Sequence, residues 1–173
     1  MQPKPQSAWA EVVSLCRDIE PSRLWELLPV PDIERDILAA TDWLSSQIRA
    51  LPDANGIYFG LDTLNMDQGR GTNVEIGGSQ ACNPSQDKIE WVYGKLTHGR
   101  SHLIRGLFEL QQVYSQPKWE PVFSFADYIL FLGYSGVVLG QAFHRLSTDR
   151  GLLSAWGFHD GDLFALPEVT GQI

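Results

Sequence analysis

The sequence predicts a single α+β domain with N-terminal helices, a mainly antiparallel sheet of about five strands, and a buried helix at about 124–146. Three observations predict it. Apolar residues recur at helical spacing through the first fifty positions, the period drops to two between 56 and 93, and helical spacing returns before a last alternating pair. Strands therefore come in runs instead of alternating with helices, as expected of an antiparallel sheet that carries its helices together. With 173 residues the chain has room for one domain spanning 1–173. Folding at that size buries about 70% of the extended surface, enough for a core without a metal or disulfide staple. A content of 43% hydrophobic and 11% aromatic residues excludes disorder, collagen and coiled coil.

The helical region covers 7–51. Trp9, Val12, Val13, Cys16 and Ile19 follow Ser7 as a candidate N-cap and precede Pro21 as a stop. A short turn fits Ser22–Leu28, and Pro31 suits a first helical position. Ile33, Ile37, Thr41, Leu44, Ile48 and Leu51 then mark the most regular helix of the chain, ended by Pro52, Asn55 and Gly56. Strands are expected within 56–93: Ile57, Phe59 and Leu61; Val74 and Ile76; and Ile89 and Trp91, each set alternating with polar or small residues. The stretch Asn65–Gly71 joins the first two as a hairpin. Helices follow within 102–146, one through Leu103, Leu107, Leu110 and Tyr114, the next after a capping box of Ser124 and Asp127. The longest uncharged stretch, Tyr128–His144, is 17 residues, short of the ~20 that span a bilayer, and contains Gly133, Ser135, Gly136, Gly140 and Gln141. It reads as a helix buried on most sides. A C-terminal hairpin is expected over 153–166, turning at Asp160-Gly161.

The formal net charge is −8 and the pI about 4.8, a field that repels phosphate backbones, so no nucleic-acid partner is expected. No membrane partner is expected either. One segment reverses the sign: residues 95–118 hold Lys95, Arg100, Arg105 and Lys118 against Glu109. Cys16 and Cys82 show no metal or redox spacing, and Cys16 falls on an apolar stripe where a buried, reduced thiol belongs. The start Met1-Gln-Pro-Lys-Pro lacks the apolar centre of a secretory leader, so a cytoplasmic location is expected.

Four local clusters raise chemistry. His159, Asp160 and Asp162 could hold a divalent metal or form an acid–base set, yet Asp160-Gly161 is also ordinary turn chemistry, which is the favoured reading. His98 and His102 have the i, i+4 spacing of paired ligands, but Gly99 stands where a metalloprotease has its general-base Glu. With Arg100 and Arg105 beside them, a solvated basic loop able to hold an anion fits better. Gly133-Tyr-Ser135-Gly-Val137 misses the nucleophile elbow at its last position and lacks the strand before it. Asp62, Asp67 and Glu75 flank the first hairpin and would face outward as an anionic patch for a basic partner. Of the tryptophans, Trp9, Trp43 and Trp91 read as core, whereas Trp119, between Lys118 and Glu120, reads as a surface anchor for a partner.

Two function classes follow. The favoured one is a non-enzymatic acidic protein-binding domain, in concrete form an immunity-type inhibitor that neutralises a basic bacterial toxin or nuclease. It would be a monomer or weak homodimer, need no cofactor and no metal, and use Asp62, Asp67, Glu75 and Trp119. The competing class is a small metal-dependent or acid–base hydrolase centred on His159, Asp160 and Asp162.

Overall fold

Helix α1 (Pro5–Ile19) starts ahead of the expected Ser7 cap, because Pro5 brings a preset φ to its first turn and Lys4 takes the cap position. Its inward side buries Trp9 and Cys16, and the Cys16 thiol donates to Ala126 O at 3.4 Å. Burial pushes that thiol up to about 12, so it stays protonated and unreactive. A 3-10 turn, Arg23–Leu27, inserts Trp25, whose indole N–H donates to Glu20 O at 2.8 Å. Helix α2 (Ile33–Ala50) begins after Pro31 instead of on it: Asp32 is the N-cap, its carboxylate accepting from Arg35 N at 3.1 Å. Its buried face holds Ile33, Ile37, Ala40, Leu44 and Ile48. Since Leu44 is fully buried, Leu44→Ala is expected to cost about 2–5 kcal/mol by denaturant unfolding; a loss below about 1 kcal/mol would contradict this packing.

The structure, a computed structural model, describes residues 4–66, 69–82, 89–122, 125–146, 152–159 and 162–166. The capping Ser124, Asp67 and the turn pair Asp160-Gly161 lie outside the described residues. Strand β1 (Gly56–Met66) pairs antiparallel with β2 (Gly69–Ser79), as the hairpin pattern predicts. The expected third strand is instead a 3-10 turn, Ile89–Tyr93. Ile89 and Val92, three apart, eclipse on such a turn and both reach the cluster around Tyr58, so the brief Ile–Trp alternation was a three-residue period in disguise. The β2 edge is covered by two short strands, β3 (Thr97–His98) and β4 (His102–Leu103). Helix α3 (Arg105–Tyr114), a 3-10 turn (Pro117–Val122) and helix α4 (Phe125–Arg145) follow. The chain then enters β5 (Leu153–Phe158), parallel to β1, and returns along β6 (Leu163–Ala165), antiparallel to β5. The strand order is β3-β2-β1-β5-β6, with β4 also on β2. The sheet is thus mixed, because α3 and α4 carry the chain back so that β5 lies alongside β1 in the same direction. A single α+β domain stands, with helices on one face of a mixed sheet.

The core lies between α1, α2, α4 and the inward side chains Ile57, Phe59, Leu61, Val74 and Ile76. Helix α4 is long and apolar enough by composition to cross a membrane, and here it packs against α1, α2 and β5. A Cβ on its Gly133 would press on Val12, and one on Gly136 would meet the Trp156 indole at 2.8 Å, so small residues let neighbours approach. Trp119, expected on the surface, is fully buried. Its ring lies 5.6 Å from Trp25 and 5.3 Å from Tyr114. In a 3-10 turn adjacent side chains diverge by about a third of a turn, so Lys118 stays exposed while Trp119 points inward.

Candidate functional site

The outer face of the sheet, away from the helices, is built from the other half of each alternation. Cross-strand partners share a face. One row therefore reads His98, Gly77, Tyr58, Ala155 and Ala165, and the next Glu75, Gly60, Gly157 and Leu163. The glycines let long side chains lie close over the strands: His159 over Gly60, Leu96 over Gly77 and Leu163 over Gly157. The 3-10 turn Ile89–Tyr93 covers part of this face through Val92 and Trp91. What stays open is a recess of about 140 Å³ lined by Tyr58, Tyr93, Leu96, His98, His159 and Leu163, together with Val92.

At its edge His159 Nε2 lies 3.3 Å from Glu75 Oε2, both side chains about two-fifths exposed. The His159 ring rests on Gly60, where an added Cβ would lie 2.6 Å from Cε1; only glycine leaves the imidazole its place. Tyr58 meets His159 edge to face, with centroids 5.9 Å apart. Burial, and then the Glu75 carboxylate and the neighbouring Tyr93, push the Tyr58 phenol up to about 12. It is a neutral donor at physiological pH. Because that value exceeds the ordinary tyrosine value near 10, Tyr58 favours the fold below about pH 10, and this contribution disappears as pH rises through about 12. Phenolate absorbance should lose a step near 12 in Tyr58→Phe, and the variant should lose less stability than the parent above about pH 10.

The site residues read from the sequence are partly brought together. Glu75 and His159, from the two competing sets, form one pair. Asp62 lies on β1 opposite Asn73, half-buried and two positions on from Gly60, on the same outer face. Asp162 is exposed, and its backbone N–H donates to the Tyr128 hydroxyl at 3.3 Å. The carboxylate set against His159 is thus Glu75, from a distant strand, which no local motif could reveal. Among the described residues, no group of three or more His, Cys, Asp or Glu could hold a metal ion. His98 and His102 do not share a helical face, since α3 begins only at Arg105. His98 opposes Gly77 on the outer side; His102 opposes Val74 on the inner side and stacks on Trp43 at 5.0 Å. Arg100 donates its backbone N–H to Gln47 Oε1 at 2.7 Å, while the Arg105 Nε is taken by Glu109 at 2.9 Å. The backbone of the basic stretch is therefore anchored to α2 at Arg100, while the side chains of Lys95, Arg100, Arg105 and Lys118 stay exposed. Ser135 is fully buried and donates to Leu132 O at 2.8 Å, which places it in the core instead of a nucleophile's position.

A polar centre that the sequence reading missed is Asp36. It is 2% exposed, accepting from Gly106 N at 2.7 Å, from the Tyr134 hydroxyl at 2.8 Å and from Arg35 Nε at 2.9 Å. It ties α2, α3 and α4 together at one point. A second depression, about 390 Å³, lies between α1 and Leu28–Val30 and is lined chiefly by Trp9, Val13, Trp25 and Val30. Compared with family models, curated proteins and solved structures, the chain matches none, so the outer-face recess rests on its own geometry.

Proposed function

We propose that this chain is an acidic binding protein whose basic protein partner docks on the outer sheet face, over the recess walled by Tyr58 and Tyr93. The observation that supports it most is the half-exposed Glu75 carboxylate paired with His159 at a recess that Tyr93, 77% exposed, also lines, in a chain of net charge −8. An exposed tyrosine at an acidic rim combines a large apolar contact with long-range steering of a cationic protein. In its concrete form this is an immunity-type inhibitor of a basic toxin or nuclease, acting in the cytoplasm as a monomer or weak homodimer. Asp62 and Glu75 steer, Tyr93 seals, and the buried Tyr58 backs the recess. Trp119 has no part in docking because it is buried.

The test starts with a photo-crosslinking residue at position 93 and, as control, at Leu38, which is 57% exposed on α2. A basic protein captured from 93 and not from 38, and binding the purified chain with saturation, is the expected result. Paired reversal, Asp62→Lys with Glu75→Lys, should then slow association several-fold at low salt and much less at ~1 M, where the Debye length is ~3 Å. Equal capture from both positions, or an association rate indifferent to the reversal, would overturn the docking face. The hydrolase reading keeps one favourable observation, the His159–Glu75 pair, which has the form of a base held by a carboxylate. A hydrolytic activity abolished by His159→Ala, with binding unaffected, would favour it.

A further inference from the structure

The recess is small. Its ~140 Å³ falls well below the ~300–1,000 Å³ of sites that enclose a drug-sized ligand, so it fits one side-chain head group. Its walls are of three kinds: Val92, Leu96 and Leu163 are aliphatic, Tyr58 and Tyr93 supply phenol rings, and His98 and His159 supply imidazoles. A carboxylate, Glu75, is held near the Tyr58 phenol by the pair with His159 at 3.3 Å. The elements around it add Asp62 on β1, Glu90 on the 3-10 turn and Asp162 ahead of β6, against Lys95 and the His98 and His159 imidazoles of the lining. A carboxylate, aromatic rings and an aliphatic sleeve within one side chain's reach are the complement of an amphipathic cation.

We infer that the recess formed by Tyr58, Tyr93, Leu96 and Leu163 beside Glu75 is a socket for a single arginine side chain projecting from the basic partner. This rests on the docking reading above and specifies its anchor. The guanidinium pairs with Glu75 and lies against a tyrosine ring, while the methylene stem lies along Leu96 and Leu163. Arginine fits better than lysine: its planar fork stacks on aromatic rings and meets a carboxylate through two N–H groups, and it is less strongly hydrated than an ammonium. Gly60 and Gly157 serve the socket indirectly: Gly60 lets the His159 ring lie over the strand beside Glu75, and Gly157 lets the backbone at Asp162 and the Leu163 side chain close in on β5. His159 orients the carboxylate from the side, and as a positioning residue it is dispensable for charge complementarity.

The experiment uses the purified full chain and N-acetyl-arginine amide as probe, followed by backbone NMR. Saturable shifts are expected at Tyr58, Gly60, Glu75 and Gly157. The uncharged citrulline counterpart should bind at least tenfold more weakly, and Glu75→Gln should weaken the arginine probe several-fold. Glu75 is half-exposed, so Glu75→Gln should keep the parent's melting temperature, which is measured alongside. In the complex captured through position 93, replacing one arginine of the partner by alanine should cost at least tenfold in affinity. In the Glu75→Gln background that loss should shrink to a few-fold, since the pair is already broken. Shifts equally strong with citrulline, or an arginine effect unchanged by Glu75→Gln, would overturn the socket. If the probe binds but no partner arginine couples to Glu75, the recess holds a free cation and the proposal also falls. If the probe fails while position 93 captures a basic partner sensitive to Asp62→Lys, the docking face stands and the socket alone is wrong.

Discussion

Replacing Asp36 by alanine is expected to cost about 3–5 kcal/mol, more than any surface substitution in this chain. The carboxylate is 2% exposed and accepts three hydrogen bonds from three different places: Gly106 N at the start of α3, the Tyr134 hydroxyl on α4, and Arg35 beside it on α2. Removing it strands a buried N–H and a buried hydroxyl, each costing about 1–3 kcal/mol when left without a partner. It also frees Arg35, whose guanidinium then keeps, among the described residues, Glu109 at 3.2 Å. Three companion variants separate these effects. Asp36→Asn keeps an acceptor for Gly106 and Tyr134 and should cost clearly less than alanine. Tyr134→Phe removes one donor and keeps the ring against Trp9, 5.1 Å away, and should cost about 1–2 kcal/mol. Gly106→Ala should resemble Asp36→Ala, because its Cβ would lie 2.5 Å from Asp36 Oδ2 and drive the carboxylate and the tyrosine apart. Denaturant unfolding of the four variants decides it. A loss under about 1 kcal/mol for Asp36→Ala would mean that water replaces the carboxylate and that the three helices are not joined there.

This centre also shows what a sequence cannot disclose. Asp36 sits one residue before Ile37 in a helix whose apolar stripe was plain, and an acid beside a stripe reads as solvated. Its partners are 70 and 98 residues away, so only the packed fold reveals that it points inward. Elements governed by their own periodicity were legible: α2 from its steps of three and four, the β1–β2 hairpin from alternation, and α4 from its uncharged stretch ending at Arg145. Features governed by distant neighbours were not. The parallel seating of β5 on β1 depends on where two intervening helices return the chain. The recess was legible only in halves. Glu75 and His159 each stood out as polar residues near turns, yet their pairing needs β5 beside β1 beside β2, a sheet order that no local motif encodes.

Trp119 carries the second large effect, and it reverses an inference drawn from its neighbours. Flanked by Lys118 and Glu120, it has the surroundings of a surface anchor, but its side chain is fully buried and packs on Trp25 and Tyr114. Trp119→Ala is therefore expected to cost about 3–5 kcal/mol, the lost burial plus the cavity left in an aromatic cluster that cannot collapse around it. Trp119→Phe should cost far less than alanine. Among the described residues the buried indole Nε1–H has no acceptor, so phenylalanine gives up some volume while removing an unsatisfied polar group, and the two effects oppose each other. The comparison separates a core residue from an interface residue. A docking anchor would lower partner affinity in both variants with the unfolding midpoint unchanged. A core residue lowers the midpoint in Trp119→Ala, nearly preserves it in Trp119→Phe, and leaves the association rate of Trp119→Phe at the parent value. Slower association in a Trp119→Phe chain of unaltered stability would return this residue to the interface and move the docking surface off the outer sheet face.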